Sequence, residues 1–391
     1  MRILAVSYDI PCPDQSSGEL RFYTLLSLLA RGHEVEFYSK DRQGPAVSEA
    51  VTNLERLGVT IKHGPFESLL SESNYDVVLF EFYFVAQGLI DLVRVWLPYA
   101  KIIVDSVDVH FHRLRSKSRL TGSISDHDEA EKVRDLELAV YGDADLVLTV
   151  TDDDTAVLRN EGLTTEIFVI PNIHVMFPLS ERLTTDRLEL IFIGSYKWSP
   201  NVDAMIHFCK DVLPLLRERI PKLRLRVVGS SPNDEIKALA AEDVEIIGYV
   251  PETSIYLLSS DISIAPLRYG GGMKGKIGEA MAHGLPVITT SVGAEGFGFS
   301  AGSDVLIADS PAEFCEAVLA LWNDKERYHR LRTNGWNYID SRYSVNAVGN
   351  LIPLMFERLS KCPSKRISGL RRLMTKGSYY MNKHVLWRFK T

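Results

Sequence analysis

Short apolar runs alternate with longer helical patterns along this chain, and the cycle runs twice from end to end. Runs of strand length fall at 3–6, 34–38, 77–80, 102–104, 146–150 and 167–170, with amphipathic segments such as 20–30 and 131–141 between them. A parallel strand buried on both faces reads as a near-continuous apolar run, and it needs a crossover, usually a helix, to reach its neighbour. Pro171-Asn172 closes this half. A polar connector over 179–187 leads to a second set of strands at 188–193, 223–228, 244–247, 262–265, 287–289 and 305–307, with helical patterns at 202–216, 276–283 and 311–322. The pattern predicts an α/β chain of two Rossmann-like, doubly wound domains facing across a cleft. Its units are 1–175, 188–345 and a C-terminal crossing helix and basic tail over 346–391. Ligands in such sheets sit beyond the carboxyl ends of the strands.

Composition fits this reading. The 391 residues are 46% hydrophobic and 24% charged, as in a globular protein large enough for two domains. No apolar run approaches the ~20 residues that span a bilayer. The first residues, Met1-Arg-Ile-Leu-Ala-Val-Ser, turn polar too soon for a signal peptide and read as a first strand. Cys12, Cys209, Cys315 and Cys362 are scattered without metal or redox spacing, which predicts reduced thiols in a cytoplasmic protein. The net charge of −7 conceals an asymmetry: 361–391 holds nine Lys or Arg and no Asp or Glu, leaving −16 for the rest. Tyr379, Tyr380, Leu386, Trp387 and Phe389 are interleaved with those cations. Such a tail suits peripheral contact with the anionic inner face of a membrane, or else packs back on the acidic body. Nucleic acid is not expected, since the body would repel it.

The most informative local stretch is Pro266-Leu-Arg-Tyr-Gly-Gly-Gly-Met-Lys-Gly-Lys-Ile-Gly-Glu-Ala-Met-Ala-His-Gly-Leu-Pro-Val287. It follows an apolar strand, then gives glycines at Gly270, Gly271 and Gly272, lysines at Lys274 and Lys276, and Glu279 inside a helical run. Glycines let backbone N–H groups approach an anion, and a helix start adds unpaired donors and the positive end of its dipole. The lysines supply point charges for a diphosphate. A carboxylate one turn further in can accept the two hydroxyls of a ribose. Together they describe a site for a nucleoside diphosphate carrying a further group.

Three other clusters follow strands. The loop 7–18 ends at Ser17 and Gly18, at a helix start that can hold a phosphate or a sugar hydroxyl, or simply cap the helix. The cluster 104–115 contains Asp105, Asp108, His110, His112, Arg113 and Arg115; a histidine here can move a proton or bind a hydroxyl, or belong to a structural Asp-Arg-His network. The stretch Gly194-Ser-Tyr-Lys197-Trp198-Ser-Pro-Asn201 is a second anion-ready turn, where Trp198 either stacks on a ligand or packs the helix start. Gly248-Tyr249-Val250 either faces a nucleobase or just ends a strand.

Taken in order, these motifs resemble the group-1 retaining glycosyltransferases of family 4, which have the GT-B architecture. The likeness extends over Gly32-His-Glu-Val35, 105–113, Ala144-Asp-Leu-Val147, Ile170-Pro-Asn172, 194–201, Gly229, 248–250, Glu279-Ala-Met-Ala282, Gly284-Leu-Pro-Val287 and Gly293-Ala-Glu-Gly296. The resemblance implies transfer of a sugar from a nucleotide-diphosphate sugar, as co-substrate, to a glycan or lipid-linked acceptor. Retention of configuration and no essential metal or other cofactor are implied as well. Glu279 would hold the donor ribose and His110 would sit near the reacting centre with Lys274 and Lys276. Gly271, Gly272, Gly194, Lys197, Tyr249 and Val250 would line the donor side, with Ser17, Gly18, Asp108 and Arg113 on the sugar or acceptor side. Two positions depart from the family pattern: Gly271 stands where many members have a glutamate, and Ser195 where many have an arginine. The glycine-lysine variant resembles a subgroup acting in polysaccharide and cell-surface glycan synthesis. First-domain loops at 82–87 and 115–127 are the expected acceptor surface. A GT-B nucleotide-sugar epimerase and a non-catalytic sugar-nucleotide-binding assembly subunit are the alternatives.

Overall fold

The computed structural model describes residues 1–40, 46–179 and 186–384. The first sheet is formed by β1 (Arg2–Ser7), β2 (Glu34–Ser39), β3 (Val59–Lys62), β4 (Val77–Glu81), β5 (Lys101–Asp105), β6 (Leu146–Thr149) and β7 (Glu166–Val169). All pair in parallel, in the order β3-β2-β1-β4-β5-β6-β7. The second sheet contains β8 (Leu188–Ile193), β9 (Leu223–Val228), β10 (Val244–Gly248), β11 (Ile262–Ala265), β12 (Val287–Thr289) and β13 (Leu306–Ile307). Its order is β10-β9-β8-β11-β12-β13, again parallel. Strand order therefore reverses between β1 and β4 in one domain and between β8 and β11 in the other. These switch points open a crevice beyond the strands' carboxyl ends.

Both faces of each sheet are covered. On one face of the first, Phe22, Leu25 and Leu26 of the helix Ser17–Ala30 pack on Ile3 and Ala5. On the other, Val6, Phe80 and Val104 meet Val93, Phe111 and Tyr141. After the helix Lys325–Tyr343 the chain returns to the first domain, where Ile352, Met355 and Leu359 of the helix Leu351–Lys361 complete its core. The two crossings touch: His174 donates its backbone N–H to the Tyr343 carbonyl at 2.8 Å and bridges Ser344.

Four elements differ from the sequence expectation. β3 was not expected, because its four residues carry only one fully buried side chain and leave no apolar run. The helical pattern 202–216 divides into Ser199–His207, a π-turn at Phe208–Val212, and Leu213–Arg219. Pro214 has no N–H to give the carbonyl four residues earlier, and the wider turn accommodates the missing bond. The expected loop 115–127 belongs instead to the helices His110–Thr121 and Ile124–Asp143, joined at Gly122 in a left-handed conformation (φ 67°). Only Phe111 of the first helix is buried, so the sequence shows no apolar stripe there. The expected loop 82–87 likewise includes a single helical turn, Tyr83–Ala86.

The helix Gly369–His384 ends the described chain, and no described helix is long and apolar enough to cross a membrane. Leu386, Trp387 and Phe389 lie outside the described residues.

Candidate active site between the domains

The switch points face each other across a cavity of about 1110 Å³. The residues expected on the donor, sugar and acceptor sides all line it: Ser17, Gly18, Asp108, His110 and Arg113 from the first domain, and Gly194, Lys197, Tyr249, Val250, Gly271, Gly272, Lys274, Lys276 and Glu279 from the second, whereas Asp105, His112 and Arg115 do not.

On the second-domain side, the loop after β11 turns at Gly270 and Gly272 and feeds the helix Gly275–Ala282, whose N-terminus opens on the cavity. Gly275 is required by close approach: a Cβ there would lie 2.3 Å from the Cβ of Ser17 in the other domain. Lys274 is buried and pairs with Glu295 at 3.2 Å. Lys276 donates to Asn201 Oδ1 at 2.8 Å and lies 5.3 Å from the Phe192 ring centre. Burial, with Lys274 close by, lowers its ammonium to about 8. The two cations are therefore held inside the wall, whereas Lys197 is exposed at the rim. Glu279 accepts the Thr253 hydroxyl, and burial raises its carboxyl above the ordinary range. His283 contacts the Glu279 carbonyl at 2.7 Å and Ser254 Oγ at 3.0 Å, and its ring stacks on Phe177 at 3.9 Å.

On the first-domain side, the strands end in strained backbone. Phe82 after β4 and Val107 after β5 have φ of 67° and 57°, in a region that side chains rarely adopt. Phe82 stacks on Phe84 at 5.0 Å, Tyr8 meets Phe84 edge-on at 6.4 Å, and His110 lies 5.9 Å from both phenylalanine rings. All four line the cavity. Burial lowers the His110 pKa, which favours the neutral imidazole.

His110 is the first residue of its helix. The buried Glu137 accepts its backbone N–H at 3.1 Å and that of Phe111 at 2.9 Å. A carboxylate at a helix N-terminus satisfies orphan donors and the dipole together. Burial pushes Glu137 up to about 7 even so.

The cluster 104–115 divides. Asp105 is fully buried on Arg21 at 2.6 Å, and Arg21 also holds the Ile170 carbonyl at 2.7 Å, so this pair ties β5 to the interdomain linker. Arg115 is occupied by Glu131 and Glu161. Asp108 and Arg113 pair with each other at 2.6 Å and stay at the cavity. The other carboxyl oxygen of Asp108 is buried without a partner, 3.0 Å from where a Cβ on Gly271 would be. The Arg113 guanidinium lies 5.0 Å from the Trp198 ring centre of the opposite domain.

Glu137, Asn201, Thr253 and His283 had no assigned role in the sequence reading. Asn201 and His283 stand inside quoted motifs, but Glu137 and Thr253 reach the site through tertiary packing alone.

Two Rossmann-like domains with a cavity between facing switch points define the GT-B class. Residues 187–324 match the family model described as Glycosyl transferases group 1. Sucrose-phosphate synthase from Thermosynechococcus elongatus superposes with a TM-score of 0.70 at 15% identity, over 92% of this chain and 99% of that one. Anabaena HepE, solved in complex with UDP and glucose, superposes with a TM-score of 0.67 at 13% identity, over 91% and 99%. A 44.6 kDa protein from the cps region of Klebsiella pneumoniae is 24% identical over 192 residues, or 46% of this chain. The match spans half the length of that relative.

Proposed function

We propose that the protein transfers a sugar, with retention, from a nucleotide-diphosphate sugar to a hydroxyl of a glycan or lipid-linked acceptor in polysaccharide synthesis. The observation that carries this reading is the helix start at Gly275, with Lys274 and Lys276, facing His110 across the cavity. In the reaction the bond from the anomeric carbon to the phosphate oxygen breaks and its electron pair stays on the diphosphate. The acceptor oxygen bonds to that carbon, and its proton passes to the departing phosphate oxygen. Charge grows on the diphosphate as the bond stretches, so fixed cations and N–H donors there lower the barrier. Glu279 accepts ribose hydroxyls, and neutral His110 hydrogen-bonds the sugar. The diphosphate charge is met by lysines and backbone, so the reaction needs no metal and turnover should persist in EDTA. The relative from a cps region supports the polysaccharide context, and the HepE complex with UDP and glucose supports a uridine nucleotide as donor. The protein would work in the cytoplasm, at the periphery of the membrane.

The test is incubation with a panel of labelled uridine-diphosphate sugars, with and without isolated lipid-linked glycan. Transfer should require the acceptor. Interconversion of the sugar without it would identify an epimerase, and binding without turnover under either condition an assembly subunit. Lys276→Met should lower turnover more than nucleotide binding, because leaving-group charge is largest in the transition state.

A further inference from the structure

The C-terminal helix Gly369–His384 is held to the first domain along one side. Arg371 pairs with Asp91 at 2.8 Å and with Asp143 at 2.6 Å, and just before the helix Lys365 donates to the Gly142 carbonyl at 2.6 Å and Thr165 Oγ1 at 2.7 Å. A different side faces outward. Leu370, Leu373 and Met374 are 71%, 70% and 67% exposed. At spacings of three and four residues they form one apolar stripe; Lys376 flanks it on the side away from the Arg371 contacts, and exposed Arg372 stands further round the helix on that same side. The stretch 361–391 carries nine cations and no acid, on a body of net −16.

We propose that this helix lies in the plane of an anionic bilayer, with Leu370, Leu373 and Met374 seated below the headgroups and Arg372 and Lys376 among the phosphates. A second copy of the chain fits poorly, because it would bring the same cations together. An anionic surface satisfies both features: apolar burial into the acyl boundary and roughly 1 kcal/mol per cation near the headgroups. The sequence left membrane contact and packing back on the body as alternatives, and the structure makes them compatible, since Arg371 and Lys365 fasten the helix without using its apolar stripe. The anchoring groups Asp143 and Gly142 precede β6, at the amino end of the strand and away from the cavity. The surface deepens the peripheral placement proposed above but does not depend on the transfer chemistry.

Full-length protein is sedimented with vesicles of equal parts phosphatidylglycerol and phosphatidylcholine, and with phosphatidylcholine alone. It should bind the first and not the second, and binding should fade as salt rises from ~0.05 to ~0.5 M. The triple variant Leu370→Ser/Leu373→Ser/Met374→Ser and the double variant Arg372→Glu/Lys376→Glu should each lower vesicle affinity by about tenfold or more. UDP binding, unchanged in both, checks that the fold is intact. Wild-type protein that ignores anionic vesicles, or a triple variant that binds as well as wild type, overturns the proposal. So does a wild-type dimer that the triple variant dissociates with no vesicle binding, which would assign the stripe to a second copy. Vesicle binding without sugar transfer would sink the functional reading and leave this surface standing.

Discussion

Glu137 does not line the cavity, yet its two N–H bonds set where His110 stands. At about pH 8, where Glu137 is ionised, Glu137→Gln keeps one good acceptor for those donors and loses the charge facing the helix dipole. A hydrogen bond to a charged group contributes about 1.5–3 kcal/mol, so part of that should be lost from stability. Turnover should fall while UDP affinity holds, a split that calorimetry and initial rates would resolve; equal loss of both would make Glu137 purely structural. Glu81 offers a test of proton linkage. It is buried at the end of β4 beside Ser7, and burial raises its carboxyl to about 8. A carboxyl raised in the folded state binds more protons there than in the unfolded chain, so its contribution to stability is full below the unfolded value and is lost as pH rises. Asp154, raised by burial to about 7, and Glu137 act in the same direction. Buried His174, lowered to about 4, acts in the opposite direction below about pH 6.5, so the readout is the difference between proteins: Glu81→Gln should remove a falling component from the melting-temperature profile between about pH 5 and about pH 8. A Glu81→Gln profile parallel to that of the wild type would show Glu81 already ionised in the native state.

At the scale of elements, the helix Gly275–Ala282 carries the donor-side residues, and its seat depends on one contact. The His174 ring, almost wholly buried in the linker, lies so close that a Cβ on Gly278 would come within 2.2 Å of Nε2. Gly278→Ala must move the ring or the helix, and overpacking of this kind costs about 1–3 kcal/mol. The variant should melt earlier and bind UDP more weakly; a variant indistinguishable in both would mean the linker yields freely. Buried parallel strands write themselves as apolar runs, and for that reason all the strands but β3 could be located from sequence. The helix His110–Thr121 could not, because almost all of its side chains are polar and it is held through Glu137 and the helix Ile124–Asp143. The glycine loop, Glu279 and His110 follow directly on strands, where a doubly wound sheet must expose them. Glu137 lies 27 residues from His110 and Thr253 lies 26 from Glu279, distances across which no local pattern reports a contact. The lysines were legible as cations, but their engagement by Glu295 and Asn201 was not.

Across the whole molecule, polar contacts join the two domains among the described residues, beside close packing of Ser17 on Gly275 and Thr151 on Gly296. Tyr249 donates its hydroxyl to Asp14, Arg113 lies over Trp198, Asp153 accepts the Gly296 N–H at 3.1 Å, and Asn172 donates to the Met273 carbonyl at 3.1 Å. Polar inter-domain contacts permit relative motion of domains, and the adjacent crossings at His174 and Ser344 are where such motion would pivot. Two of the contacts, at Tyr249 and Trp198, are made by side chains that are 46% and 45% exposed at the rim of the cavity. An exposed cation–π contact contributes about 0.5–1 kcal/mol, and a hydroxyl bond to a carboxylate about 1.5–3 kcal/mol before solvent competition. Removing both should shift the open-to-closed ratio by roughly tenfold in favour of the open form. For Trp198→Ala/Tyr249→Phe we expect a larger radius of gyration in solution scattering without nucleotide, and recovery of the wild-type value when UDP is added. UDP affinity should fall by a similar factor, because binding must now supply the closure, and reaction with a full donor should suffer at least as much. A radius unchanged in the free double variant would mean that the linker contacts at Asn172 and His174, rather than the rim, hold the domains together.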